Sequence, residues 1–257
     1  EEDEKFDLGK AAHAYLFEGE SNFVIVEAAD WRTKIAKEAR DTARRAGKVP
    51  LLVERWGDVQ AMAVEARRSL ALHRDGPTPL LGGVPEQTLV WQEAGGVWCR
   101  ARPDWMHTTP GIQLLDDYKT TGATANPDAW TRGPLFSMGY DLQAAFYLRG
   151  LKILTGEDAA FRFVVQENFP PYALSVIGLG PDVLMLAEKK RFYAVNLWRE
   201  CVEANAWPGY PTRTCFAELP PWLEAQWLEK EMRDGMMPAI DDGRPVGDLL
   251  AGMGGNQ

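Results

Sequence analysis

The stretch Ile112-Gln113-Leu114-Leu115-Asp116-Asp117-Tyr118-Lys119 decides how the chain is read. It has the composition of a β-strand and runs into the turn residues Thr120-Thr121-Gly122-Ala123. Strand side chains alternate between faces, so Leu115, Asp117 and Lys119 share one face while Asp116 and Tyr118 share the other. A carboxylate and an ammonium side by side at the end of an apolar strand need a reason. One is an exposed ion pair, which stabilises by at most ~1 kcal/mol and is common. The other is chemistry, and the residues upstream bear on it.

Residues 87–93 (QTLVWQE) and 97–105 (VWCRARPDW) are β-type runs joined at Gly95-Gly96, a hairpin signal. Pro103-Asp104 ends the second run, and the turn WMHTTPG after it lets that run lie antiparallel to 112–119. Asp104, Asp117 and Lys119 are then expected to meet at adjacent strand ends. Two carboxylates and a lysine around a hard cation suit phosphodiester hydrolysis: the cation polarises the phosphate and lowers the pKa of water. The lysine can orient that water, accept its proton or offset developing charge.

Further out, the pattern predicts helices over 8–18, 31–46 and 57–73, a Pro/Gly loop over 75–85 and a long helix over 134–156. A second hairpin (161–169 and 172–180) is expected to turn at Pro170-Pro171, and a Pro-initiated helix to cover 181–205. This order implies an α/β fold with a mixed central β-sheet flanked by helices. One domain is expected over 1–237, with a helical part at 8–73, a catalytic core at 86–180 and C-terminal helices at 181–237. A flexible tail is expected at 238–257.

The 257 residues are 46% hydrophobic, enough for a substantial core. No apolar run approaches the ~20 residues of a membrane span, and the start Glu1-Glu2-Asp3-Glu4 is unlike a signal peptide, so a cytoplasmic protein with no membrane partner is expected. Three widely spaced cysteines, Cys99, Cys201 and Cys215, exclude a four-thiolate cluster within the chain and point to reduced thiols. His13, His73 and His107 form no close ligand pair, so oxygen donors and a hard cation, Mg2+ with Mn2+ as a substitute, are expected. The net charge of −9 does not advertise nucleic-acid binding, but residues 31–48 carry seven bases against two acids. With a Debye length of ~8 Å, such a local face can track phosphates, and Arg40, Arg44 and Arg45 are its DNA-contact candidates. A solvated helix face reads the segment equally well.

On the 134–156 helix, Gln143 and Tyr147 stand four residues apart and share a face. The ordered set Pro103-Asp104, Asp117-Tyr118-Lys119-Thr120 and Gln143…Tyr147 resembles the PD-(D/E)xK nucleases. Within them it is most similar to the exonuclease VIII (RecE) group, related to lambda exonuclease and the RecB nuclease domain. Residues 9–18 (GKAAHAYLFE) are similar to that group's first helix, and Glu86 to its upstream acidic position. The resemblance spans about 9–210 and is strongest over 97–147. It implies a restriction-endonuclease-like core with catalytic Asp104, Asp117, Lys119, Gln143, Tyr147 and Glu86. Metal ligation would come from His13, Asp104, Asp117 and the carbonyl of Tyr118. It further implies processive 5′→3′ digestion of linear double-stranded DNA from its ends in phage-type or recombinational processing, by a bacterial or phage-encoded homo-oligomeric ring. A tetramer is favoured over a trimer, and a single-strand-annealing protein is the implied partner. A structure- or sequence-specific endonuclease of the same fold and a non-catalytic DNA-end-binding protein are the competing readings.

Overall fold

The computed structural model describes residues 2–17 and 23–235. It divides into two compact units, Glu1–Ala206 and Trp207–Gln257. The first contains, in chain order, α1 (Glu2–Phe17), β1 (Phe23–Val26), α2 (Lys34–Arg45), β2 (Val49–Leu52), α3 (Val53–Ala71), β3 (Gly83–Pro85), β4 (Leu89–Gln92) and β5 (Trp98–Ala101). There follow β6 (Trp105–His107), β7 (Leu114–Thr121), α4 (Pro127–Arg132), α5 (Pro134–Ser137), α6 (Tyr140–Thr155), β8 (Ala160–Glu167), β9 (Leu174–Gly178) and α7 (Pro181–Ala204). The second unit holds α8 (Pro221–Asp234), none of whose side chains is buried. The expected tail over 238–257 lies outside the described residues. Among the described residues no helix is long and apolar enough to cross a membrane.

The central sheet has the order β3-β6-β7-β8-β9 and is mixed, with β7 and β8 parallel and the other pairs antiparallel. Leu114 to Tyr118 are buried without interruption, as a strand covered on both faces requires. On one face Leu115 packs with Phe161, Phe163 and Val165 beneath Ala144 and Leu151 of α6. On the other, Tyr118 and Val164 meet Leu8, Ala11 and Ala12 of α1 and Val59, Met62 and Leu70 of α3. Helices therefore cover both sides of a mixed sheet, as the sequence led us to expect. A parallel pair needs a crossover, and the one between β7 and β8 carries α4, α5 and α6 over one face.

The structure differs from the sequence reading in three respects. The expected strand 97–105 is two strands in two sheets: β5 pairs with β4, and β6 belongs to the central sheet. Pro103 stands between them, and a residue without an N–H cannot continue a ladder. The expected helix 134–156 breaks into α5 and α6 at Gly139, whose φ of 69° lies in the left-handed region. Three strands went unread: β1 and β2 form a short parallel pair joined through α2, and β3 lies inside the supposed loop 75–85.

Candidate active site

The β6–β7 register pairs Trp105 with Asp116, which sets Asp104 beside Asp117. Asp104 is fixed at both ends. Its Oδ2 accepts the Tyr118 N–H at 2.7 Å, and its backbone carbonyl accepts the N–H of Glu86 at 3.0 Å. Glu86 follows β3 at a φ of 57°, a left-handed conformation that a residue with a Cβ adopts at a cost and that clusters at functional sites. Its other oxygen forms an ion pair with Arg102.

His13 arrives from the far side of the sheet. Gly9 presses α1 onto the end of β7, where an added Cβ would stand 2.5 Å from Thr120 Oγ1. One turn further on, His13 Nε2 lies 3.1 Å from Glu86 Oε1 and 3.1 Å from Asp104 Oδ1. One ligand atom each from His13, Glu86 and Asp104 falls within 4.8 Å of the others, a spacing that suits a metal ion. Burial pushes the His13 pKa down, but the Asp104 hydrogen bond and the charges of Asp104, Glu86 and Asp117 raise it on balance.

Asp117 is 1% exposed. Its Oδ2 accepts from Gln143 Nε2 at 2.9 Å, and its Oδ1 is ion-paired with Lys119. The Lys119 ammonium also lies 5.0 Å from the centre of the Tyr140 ring, a cation–π contact. Burial and the neighbouring Asp104 charge push the Asp117 pKa up to about 7, against the lowering effect of Lys119. Burial lowers the Lys119 pKa, yet Asp117 and Asp104 raise it on balance. Tyr147 lies one turn beyond Gln143 on α6, half-buried, with its hydroxyl pKa raised by burial.

His13, Glu86, Asp104, Asp117, Lys119, Gln143 and Tyr147 thus gather where the start of β6 meets the middle of β7. Glu86 joins His13 and Asp104 in the tightest donor group, while Asp117 stands beside it, tied to Lys119 and Gln143. The Tyr118 main chain is at the cluster through its N–H. Arg40, Arg44 and Arg45 belong to α2, which packs on β1 and β2. Arg40 bonds Asp41 and covers the Trp31 ring, and Arg45 bonds Thr42.

Behind the cluster the sequence reading missed a buried network. Asp116, fully buried, accepts from Arg162 Nε at 2.7 Å, Arg162 Nη2 at 3.0 Å and the Leu80 N–H at 2.9 Å, and lies 2.7 Å from His107 Nε2. The one available signal was an arginine inside the apolar run FRFVV; nothing local names its partner.

A family model described as a PDDEXK-like domain of unknown function (DUF3799) matches residues 1–217. No curated protein matches the chain in sequence. A crystal structure from Eubacterium rectale, of a protein described as a candidate exonuclease, is similar at a TM-score of 0.50 and 12% identity, covering 98% of this chain and 80% of that one. The structure of the protein SSO0001 matches at a TM-score of 0.30 and 13% identity, over 75% of this chain and 86% of that one. The first of these is a likeness of fold.

Proposed function

The chain belongs to the PDDEXK-like domain family of that model, and from this premise we propose that it is a divalent-metal-dependent DNA nuclease acting as an exonuclease on linear duplex ends. The observation that carries the proposal is the meeting of Asp104, just before β6, with Asp117 and Lys119 on the neighbouring strand β7, and with His13 and Glu86 drawn in from elsewhere in the chain.

The donors fit a hard cation. Burial first, and then the nearby Asp104 charge, push Asp117 up to about 7, and a group so placed gains from a neighbouring cation. His13, Glu86, Asp104 and Asp117, with the Tyr118 carbonyl, would hold Mg2+ or Mn2+. Such an ion supplies Lewis acidity toward a phosphodiester. Lys119 brings a positive charge to the same point and is suited to orienting water and offsetting charge on the phosphate. Gln143 and Lys119 hold the two oxygens of the Asp117 carboxylate and so fix its orientation beside the cluster. Arg102 neutralises the outer oxygen of Glu86. The finer features, 5′→3′ polarity, processivity, a ring of three or four copies, an annealing partner and DNA contacts from Arg40, Arg44 and Arg45, belong to this same reading.

End-labelled linear duplex, incubated with Mg2+ or Mn2+ and resolved by product length, tests it. The expected result is progressive shortening from ends, none in EDTA, none on closed circular DNA, and a loss of at least 100-fold in Asp117→Ala. Cleavage of circles would turn the reading to an endonuclease. Asp117→Ala activity within a few-fold of wild type would reject the site.

A further inference from the structure

Three aromatic rings gather at the ammonium of Lys119. The β7–β8 register sets Phe163 beside Asp117, and Lys119 Nζ lies 5.9 Å from the centre of the Phe163 ring. Tyr140 comes from the crossover, where α6 starts just after Gly139, and its ring centre lies 5.0 Å from the same ammonium. Trp130 of α4 backs Tyr140 in a nearly parallel stack, with ring centres 5.5 Å apart and 8° between the planes. Phe163 touches both, at 5.3 Å from Trp130 and 5.7 Å from Tyr140, so the three rings form one group. Tyr140, Gln143 and Tyr147 stand at i, i+3 and i+7, and the face of α6 that reaches Asp117 therefore begins at Tyr140.

The rings differ in what they do. Phe163 and Trp130 are buried and belong to the core. Tyr140 is half-buried at the edge of that core, and packing alone asks less of it. Its position is nonetheless fixed. Trp130 braces the ring, and the next residue, the buried Asp141, accepts from Lys190 Nζ at 2.6 Å, which ties the first turn of α6 to α7.

Lys119 has use for such a support. Its ion pair is with Asp117, the carboxylate that a divalent ion would share. With that carboxylate shared, the ammonium would lose part of its anchor and face a like charge. An aromatic face attracts an ammonium through its quadrupole, carries no net charge, and is not the oxygen donor that a hard cation takes. We propose that Tyr140, braced by Trp130, is a positioning residue that holds the Lys119 ammonium at the phosphodiester while Asp117 serves the metal. The inference rests on the nuclease reading above and goes beyond it in naming what holds the lysine.

A graded ring at position 140 is the test. Tyr140→Phe keeps the ring and should keep most of kcat. Replacing that phenylalanine with its mono-, di- and trifluorinated forms nearly preserves its shape and drains negative charge from its face. On linear duplex kcat should fall step by step to about a tenth, with KM and the calorimetric Mn2+ affinity unchanged. Thermal melts without metal give a second readout. The series should lower Tm by ~2–4 °C when Lys119 is present and leave it level in Lys119→Met. Equal kcat across the series, or the same Tm trend with and without Lys119, would mean that the ring only packs and would overturn the inference. A Mn2+ affinity that falls with kcat would also overturn it, since Tyr140 would then act through the metal. Failure of the parent reading looks different: the wild type would hydrolyse no DNA in Mg2+ or Mn2+, while the melts would still show the ring coupled to Lys119.

Discussion

Replacing Arg162 with leucine should destabilise the first unit heavily, because Asp116 has no route to solvent. In the wild type the carboxylate is 0% exposed and takes two bonds from the guanidinium, one from the Leu80 N–H and one from His107. Leucine removes both charge-assisted bonds and leaves an anion buried with one imidazole and one amide. Breaking a buried pair from one side costs about 3–5 kcal/mol. For a unit of this size each kcal/mol moves Tm by ~2–4 °C, so a fall of roughly 6–20 °C is expected. Its pH dependence has a definite sign. Burial raises the Asp116 pKa, but the His107 and Arg162 hydrogen bonds lower it on balance. A depressed folded-state pKa gives stability that is present above the unfolded value of ~3.9 and is lost as pH falls through the folded value. The variant leaves the anion costly and readier to take up a proton, so the gap between the two proteins should be full at pH 7 and shrink as acid protonates the variant's buried carboxylate. Thermal melts by circular dichroism at pH 7, 5 and 3.5 measure it, and Arg162→Leu/Asp116→Asn should regain part of the loss. A Tm change under 2 °C at pH 7 would refute the reasoning.

Gly9→Val should lift α1 from Thr120 and weaken Mn2+ binding, measured by calorimetry, by about 10-fold or more, with Gly9→Val/Thr120→Ala partly restored. Lys119→Ala should lose at least 100-fold in kcat while still binding Mn2+, since it acts on charge in the transition state; equal loss of both would make it a structural residue. Arg40→Glu/Arg44→Glu/Arg45→Glu should flatten the salt dependence of duplex binding by about 0.9 per lost phosphate contact, and an unchanged slope would leave α2 a solvated face. Light scattering should give a mass three or four times 28.7 kDa, and a strict monomer would remove the ring.

What the sequence made legible was local or ordered along the chain. Period-two alternation placed Asp117 with Lys119 and apart from Asp116, as the packing of Leu115 and Tyr118 on opposite faces bears out. The Gly95-Gly96 hairpin and the α7 start at Pro181 follow from turn and cap chemistry. Register was harder. The turn after Asp104 is shorter than it reads, because Trp105–His107 is itself a strand, yet the antiparallel pairing still sets Asp104 by Asp117. The identity of partners distant in sequence left no mark. Arg162 to Asp116, Arg191 to Glu93 and Lys190 to Asp141 each join a charge in one element to a charge in another. Each looks from its own neighbourhood like an ordinary surface residue.

Asp116 and Asp117 show why burial alone does not mark a site. They are consecutive, on one strand, at 0% and 1% exposure, and their acidities move in opposite directions. Burial raises both, more strongly at Asp117, and the partners then separate them. Asp116 meets a full guanidinium, an imidazole and an amide, and its charge is matched within the fold. Asp117 meets one ammonium and one neutral amide across from a second carboxylate, Asp104, and is left short of positive charge. Alternation along β7 sorts the two onto opposite faces, one complete and one incomplete. The incomplete face is also the one that Gln143 reaches from the crossover helix α6. The shortage of positive charge at Asp117 thus lies on one face of β7, beside the donor group of His13, Glu86 and Asp104. There the missing charge is a property of the fold itself, and a bound divalent ion would complete it.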